Sequence, residues 1–201
     1  MQPSLDQLFA THCAPALAGV APANLISLRR GDFPHLEEEL RKYQQAFARR
    51  GVKFDSLCSC ANRELILVYR PQLMAQALNR DGVEEILTPC GYDLSRPVEE
   101  ILAHLGLRVR QGGSFPHEIG LFLGYPVEDV RGFIEHQGRD YLCTGYWKVY
   151  ENLEQKQQLF QRFEYAKENL VLLLSYGVGM ADIMDIFGGT GQKTLYQECA
   201  G

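Results

Sequence analysis

Residues 54–70, FDSLCSCANRELILVYR, decide the fold class of this chain. Two stretches of apolar or alternating character flank the short segment 61–63, and the second stretch, 64–70, is the more regular of the two. Such a pair of stretches around a short turn is typical of an antiparallel β-hairpin. A further strand is expected over 141–150, YLCTGYWKVY, because aromatic and β-branched residues favour strands.

Helical patterns occupy most of the remaining sequence. Apolar residues recur at helical spacing over 33–50 and over 153–176. Segments 116–123 and 126–136 each begin with Pro and end before Gly, as helices commonly do. Shorter helices are expected over 4–13 with Ser4 as cap, over 72–78, over 97–105 with Ser95 as cap, and over 180–187.

Together these patterns predict an α+β fold. A small antiparallel sheet, made of the hairpin near 54–70 plus the strand near 141–150, is expected to pack against several helices. The length of 201 residues suits a single domain, 1–201, in which 188–201 forms a frayed tail.

The composition narrows the class of partner. Twenty Lys and Arg against 25 Asp and Glu give a formal charge of -5, so the chain has no broad basic field for nucleic acid. The longest apolar run, 170–174, is far shorter than the ~20 residues of a membrane-spanning helix. The N-terminal stretch lacks the basic start of a signal peptide and the six cysteines are scattered, which favours a cytoplasmic protein with reduced thiols.

Cys13 and His117 are the candidates for nucleophilic chemistry. Cys13 precedes Pro15, which can start a short helix and place the thiol near positive backbone ends. His117 stands in the first turn of a predicted helix, where a neutral ring can accept a proton, and the adjacent Glu118 is a candidate acid or base. The alternatives are a Cys13 that is buried as a small apolar residue and a Glu118 that only balances the helix dipole.

Metal chemistry has weaker signals. Cys58 and Cys60 fall on one face of the predicted hairpin, and Cys143 is expected on another strand of the same sheet, so that three thiolates could approach zinc. The sequence has no C-x-x-C pair, and Leu121 stands where an H-E-x-x-H site needs its second His. No metal site is therefore predicted.

Aromatic residues stand beside cations at two places, Tyr69–Arg70 and the segment 146–150, YWKVY, which contains Trp147 and Lys148. Stacking and charge at Tyr69, Arg70 and Lys148 could bind an anionic planar ligand. The alternative is ordinary strand packing with the cations directed outward.

Four segments resemble a bacterial family known only as a domain of unknown function: HCAPALAG at 12–19, VYRP at 68–71, FPHEIGLFLGYPVEDVRGFI at 115–134 and GYWKVY at 145–150. The resemblance spans nearly the whole chain. It implies small soluble proteins of anaerobic bacteria, some encoded near flavodoxins, and hence a flavodoxin-like redox partner, but no established activity or cofactor. Ala21 stands where the family often has a lysine, which puts in doubt any mechanism that needs that lysine.

Two functions are compatible with these residues. The first is a cysteine-centred, hydrolase- or transferase-like site, in which Cys13 is the nucleophile or redox thiol and His117 is its base. Glu118 or Arg70 would then orient the ring or bind an anionic substrate. The second is a non-enzymatic binding or regulatory module for a small anionic cofactor or a flavodoxin-like partner. A concave site that holds both Cys13 and His117 would favour the first function, and a flat exposed aromatic patch would favour the second.

Overall fold

A three-stranded antiparallel sheet forms the centre of the structure, a computed structural model that describes residues 3–60, 62–111 and 115–188. The strands lie in the order β1-β3-β2 and are β1 (Ala23–Arg29), β2 (Lys53–Ser59) and β3 (Arg63–Tyr69).

The hairpin predicted over 54–70 is confirmed, since β2 pairs antiparallel with β3. β3 is the central strand, and its consecutive side chains enter two different hydrophobic cores. Ile66 and Val68 face one core, whereas Leu67 and Tyr69 face the other. A strand that is covered on both faces has a nearly continuous apolar sequence, which explains the apolar run in the second half of β3.

Helices cover both faces of the sheet, which confirms the α+β class. In chain order they are α1 (Leu5–His12), α2 (Ala14–Leu17), α3 (Leu36–Ala48), α4 (Pro71–Leu78), α5 (Val83–Leu87), α6 (Val98–Arg110), α7 (Ile119–Phe122), α8 (Val127–Glu135), α9 (Leu153–Ser175) and α10 (Met180–Gly188). Helices α1, α2, α3, α9 and α10 share the core of Ile66, and helices α4 to α8 share the core of Leu67.

The observed starts of the helices agree with the predicted starts at some positions and differ at others. Ser4 caps α1 through a complete capping box with Gln7, as its side chain predicts. Helix α3 begins three residues later than expected, because Phe33, which precedes Pro34, has a non-helical backbone with φ -133° and ψ 85°. Ser95 does not cap α6, since its hydroxyl and its backbone N–H both donate to Asp93.

The prediction of one strand over 141–150 is wrong. This segment forms a short hairpin of β4 (Cys143–Thr144) and β5 (Lys148–Val149), a two-stranded sheet separate from the central one. The chain reverses here because the backbone N–H of Gly145 donates to the carbonyl of Trp147. Cys143 therefore does not share a sheet with Cys58 and Cys60.

Two further expectations concern the end of the chain and membranes. Gly188 is the last described residue, so the frayed tail expected over 188–201 lies, beyond that glycine, outside the described residues. Among the described helices, none combines the length and the apolar character that crossing a membrane requires.

Candidate functional site

A concave cavity of about 280 Å³ lies between segment 115–120, helix α8 and the β4–β5 hairpin, and we call it the hairpin cavity. Five aromatic side chains contribute to its wall: Phe115, Tyr125, Phe133, Tyr146 and Trp147. Its polar lining includes His117, Asp129, Thr144 and Lys148. A few polar groups on a mainly apolar concave wall are typical of sites that bind small molecules.

Lys148 brings a positive charge to this cavity. Its Nζ donates a hydrogen bond to the carbonyl of Gly138 at 2.6 Å. The same nitrogen lies 4.7 Å from the ring centroid of Tyr141 and 5.7 Å from that of Phe133, within the range of cation–π attraction. The carbonyl and the two rings hold the ammonium in place, and because an ammonium has three N–H groups, two remain beyond the bond to Gly138.

Asp129 joins α8 to the hairpin. Its side chain is 1% exposed, and its two oxygens accept three N–H groups. Oδ2 accepts from Trp147 Nε1 at 2.7 Å, and Oδ1 accepts from the backbone N–H groups of Tyr150 and Glu151 at 2.8 and 3.3 Å. A buried carboxylate is tolerated only when donors of this kind surround it. These hydrogen bonds therefore fix the orientation of the β4–β5 hairpin relative to α8.

His117 and Glu118 are neighbours in the chain but point to different places. The imidazole of His117 is exposed and lines the hairpin cavity, with its ring centroid 4.9 Å from that of Phe133. The carboxylate of Glu118 is buried and accepts hydrogen bonds from Arg108 Nε and from the Tyr92 hydroxyl. Glu118 therefore anchors the loop to α6, and it does not line the cavity.

Cys13 lies outside the hairpin cavity. It is fully buried in the same core as Phe9, Leu17 and Leu170, and this burial raises the pKa of its thiol well above the usual value. A nucleophilic cysteine needs access to substrate and a stabilised thiolate. The geometry argues against both, and Cys13 does not line the hairpin cavity beside His117.

We expect the folded protein to protect Cys13 from alkylation. Iodoacetamide should modify it at least about 100-fold more slowly than the exposed Cys60, because the buried thiol must wait for local opening. Peptide mapping by mass spectrometry after timed labelling measures both rates in one sample. In denaturant the two rates should become similar. Equal rates in the folded state would instead restore Cys13 as an accessible nucleophile.

The two anion-binding residues expected in the central sheet are used by the fold. Arg70 donates from Nε to the carbonyl of Ala16 at 2.7 Å, from Nη2 to that of Leu17, and from Nη1 to that of Arg50 at 3.1 Å. Tyr69 is 1% exposed, and burial together with Asp55 raises the pKa of its hydroxyl. Neither residue lines the hairpin cavity, so neither joins Lys148 there.

Several larger grooves lie elsewhere on the described surface, and of the two with volumes of about 820 and 700 Å³ one contains a prominent cation. This groove, of about 820 Å³, is bordered by α4, α5 and the start of α6. Its Arg80 donates to the carbonyls of Ala77, Gly124 and Tyr125, and its pKa is lowered by burial. The hydrogen bonds of this guanidinium thus connect the end of α4 to the loop before α8. The other groove, of about 700 Å³, lies between the start of α1 and the end of α9.

Among the described residues, no group of three or more His, Cys, Asp or Glu side chains is arranged to hold a metal ion. The thiols expected to approach each other illustrate the reason. Cys58 belongs to the central sheet and Cys143 to the separate β4–β5 sheet.

A family model described as a protein of unknown function, DUF3793, matches residues 9–184. The chain belongs to the DUF3793 family. The resemblance to a family of unknown function is thereby confirmed. Neither the curated proteins nor the solved structures contain a match to the chain. Membership in DUF3793 carries no assigned activity, so the function must be argued from the site itself.

The four segments singled out in the sequence, 12–19, 68–71, 115–134 and 145–150, pair in space. Segment 68–71 meets segment 12–19 through the hydrogen bonds of Arg70 to the end of α2. Segment 115–134 meets segment 145–150 through Asp129 and Trp147, and these two segments supply most of the hairpin cavity. The first pair is a buried structural junction, whereas the second pair encloses a space.

Asp129 and Phe133 are among the residues of the hairpin cavity that sequence reasoning missed. Asp129 reads as ordinary acidic charge in the first turn of a helix, and Phe133 reads as one more apolar residue of that helix. The apolar neighbours Val127 and Val130 give no signal for Asp129, because residues one or two positions apart on a helix do not share a face. The donors to Asp129 lie 18 to 22 residues away in the chain, and no local pattern reveals them.

Proposed function

We propose that this DUF3793 protein is a binding module for a small, planar, anionic ligand that occupies the hairpin cavity. The observation that supports the proposal most directly is the placement of Lys148 on the wall of a concave space that also presents Trp147, Phe133 and Tyr125. Aromatic walls favour a flat ligand, and an ammonium favours a negative charge.

The rigidity of the wall supports binding. Trp147 stacks on Tyr125 with ring centroids 4.6 Å apart and an interplanar angle of 27°. The edge of Trp147 also meets Phe160 at a centroid distance of 4.6 Å, and its indole N–H is held by Asp129. A side chain that is already ordered loses little conformational entropy when a ligand arrives.

The size of the cavity favours a small molecule over a macromolecular partner. A stable protein–protein contact involves roughly 20–30 residues on each side, more than the 14 described residues that line this cavity. A flavodoxin-like partner would have to use a broader face of the molecule. Thiol chemistry at Cys13 gains no support from its burial in the core around Phe9.

We expect small anionic aromatics to shift the indole N–H resonance of Trp147 when they are screened by two-dimensional NMR. Trp147 is the single tryptophan of the chain, so this resonance needs no assignment. The variant Thr144→Phe should abolish the shifts, because Thr144 lines the cavity and the added ring would occupy it.

The variant Thr144→Ser is the matched control, since it keeps the same strand position and adds no volume. It should retain the shifts. If no anionic aromatic moves the indole resonance at millimolar concentration, or if Thr144→Phe leaves the shifts intact, the hairpin cavity is not the binding site.

A further inference from the structure

We infer that the ligand of the hairpin cavity is an aromatic monocarboxylate of one or two fused rings. This inference rests on the proposed function and adds the chemical class of the ligand. Three properties of the cavity lead to it, namely its volume, its charge and the nature of its donors.

The volume limits the ligand to a small ring system. Pockets for drug-sized ligands span roughly 300–1,000 Å³. At about 280 Å³ the hairpin cavity falls just below this range. One ring or two fused rings with a single substituent suit such a space, whereas a nucleotide with base, ribose and phosphate does not.

The charge of the lining matches one negative charge better than two. Of the described residues that line the cavity, the basic ones are His117 and Lys148. Asp129 contributes a carboxylate to the same lining. A phosphate monoester carries close to two negative charges at neutral pH, and this carboxylate repels two charges more strongly than one.

The donors suit a carboxylate. Phosphate groups are commonly held by free backbone N–H groups at a helix N-terminus, but at α8 the first turn already carries two acidic side chains. The ammonium of Lys148 keeps two N–H groups beyond its bond to Gly138, enough to donate to the oxygens of one carboxylate. The rings of Tyr141 and Phe133 beside it reduce its contact with water, which strengthens such a bond.

Three probes of equal ring size test the inference: 2-naphthoate, 2-naphthyl phosphate and the neutral 2-naphthalenemethanol. Their Kd values are measured by calorimetry, and the Trp147 indole resonance reports whether each occupies the cavity. We expect 2-naphthoate to bind at least about 10-fold more tightly than either other probe, a difference of ~1.4 kcal/mol. In Lys148→Met this preference should fall to about 3-fold or less. Lys42→Met, at an exposed lysine on α3 that does not line the cavity, should leave the preference unchanged.

The outcomes separate this inference from the proposed function. If the phosphate or the alcohol binds as tightly as the carboxylate and shifts the indole resonance, the cavity binds ligands but the monocarboxylate class is wrong. A carboxylate preference that survives in Lys148→Met also overturns the inference, because a group other than Lys148 must then bind the negative charge of the probe. If none of the three probes shifts the Trp147 resonance, while other anionic aromatics in the NMR screen do, only the inference about the ligand class fails. If neither the three probes nor the screened compounds shift the resonance, both the inference and the proposed function fail.

Discussion

Replacing Arg70 by methionine is expected to lower the free energy of unfolding by about 3 kcal/mol. The guanidinium donates to the carbonyls of Ala16, Leu17 and Arg50, and the first two lie at the end of α2. Methionine keeps the length of the stem but leaves these acceptors without their charged donor. Hydrogen bonds from a charged group stabilise more than neutral ones, and abandoned buried acceptors cost free energy in their own right.

Urea unfolding followed by circular dichroism measures this loss, and the midpoint of thermal unfolding should fall by roughly 6–12 °C for a chain of this size. Arg96→Met is the control, because Arg96 is exposed and pairs with the exposed carboxylates of Asp93 and Glu100. It should cost less than about 1 kcal/mol. Arg70→Lys should lie between wild type and Arg70→Met, since an ammonium cannot reproduce the planar fork. Equal losses in Arg70→Met and Arg96→Met would show that the junction at α2 does not hold the fold.

The elements that could be predicted from sequence are those determined by local chemistry. The hairpin of β2 and β3 follows from the apolar run that precedes Arg70, and the start of α1 follows from the Ser4 capping box. The prediction of one strand over 141–150 is wrong because aromatic content favours a strand, whereas the observed hairpin donates hydrogen bonds to Asp129, which lies outside the segment.

In the candidate site, too, some residues can be identified from the sequence, whereas the role of others depends on contacts with distant residues. The sequence indicates His117 and Lys148 for separate reasons, and both line the hairpin cavity. It also indicates Cys13 and Arg70, because their side chains can act as a nucleophile and as an anion-binding group, yet Cys13 is buried and Arg70 donates to backbone carbonyls. Residue type alone does not distinguish these outcomes, because each depends on contacts with residues distant in the chain. The bonds of Arg70 to α2, for example, span 53 and 54 residues.

Asp129→Asn is expected to lower the free energy of unfolding by about 2–3 kcal/mol and to detach the hairpin from α8. The substitution preserves shape but turns one acceptor oxygen into an NH₂ donor. Whichever way the amide is oriented, that donor faces another donor, either the Trp147 indole or the backbone N–H groups of Tyr150 and Glu151. Trp147 should become more exposed, so its fluorescence emission should shift to longer wavelength, and 2-naphthoate should bind at least about 10-fold more weakly.

Asp140→Asn provides the matched control, because it removes the same charge from an exposed side chain, whose Oδ2 lies 3.6 Å from Nδ1 of His136. It should change stability by less than about 0.5 kcal/mol and leave the emission unchanged.

A double-mutant cycle with Trp147→Phe then tests the donor conflict itself. Phenylalanine removes the indole N–H, so an asparagine at position 129 can turn its NH₂ toward the vacated side and keep its oxygen for the two backbone donors. The cost of Asp129→Asn, measured by circular dichroism, should therefore be smaller by about 1–2 kcal/mol in this background than in the wild-type background. If the cost is the same in both backgrounds, the lost charge rather than the geometry of the three donors accounts for the effect, and Asp129 does not fix the wall of the hairpin cavity through Trp147.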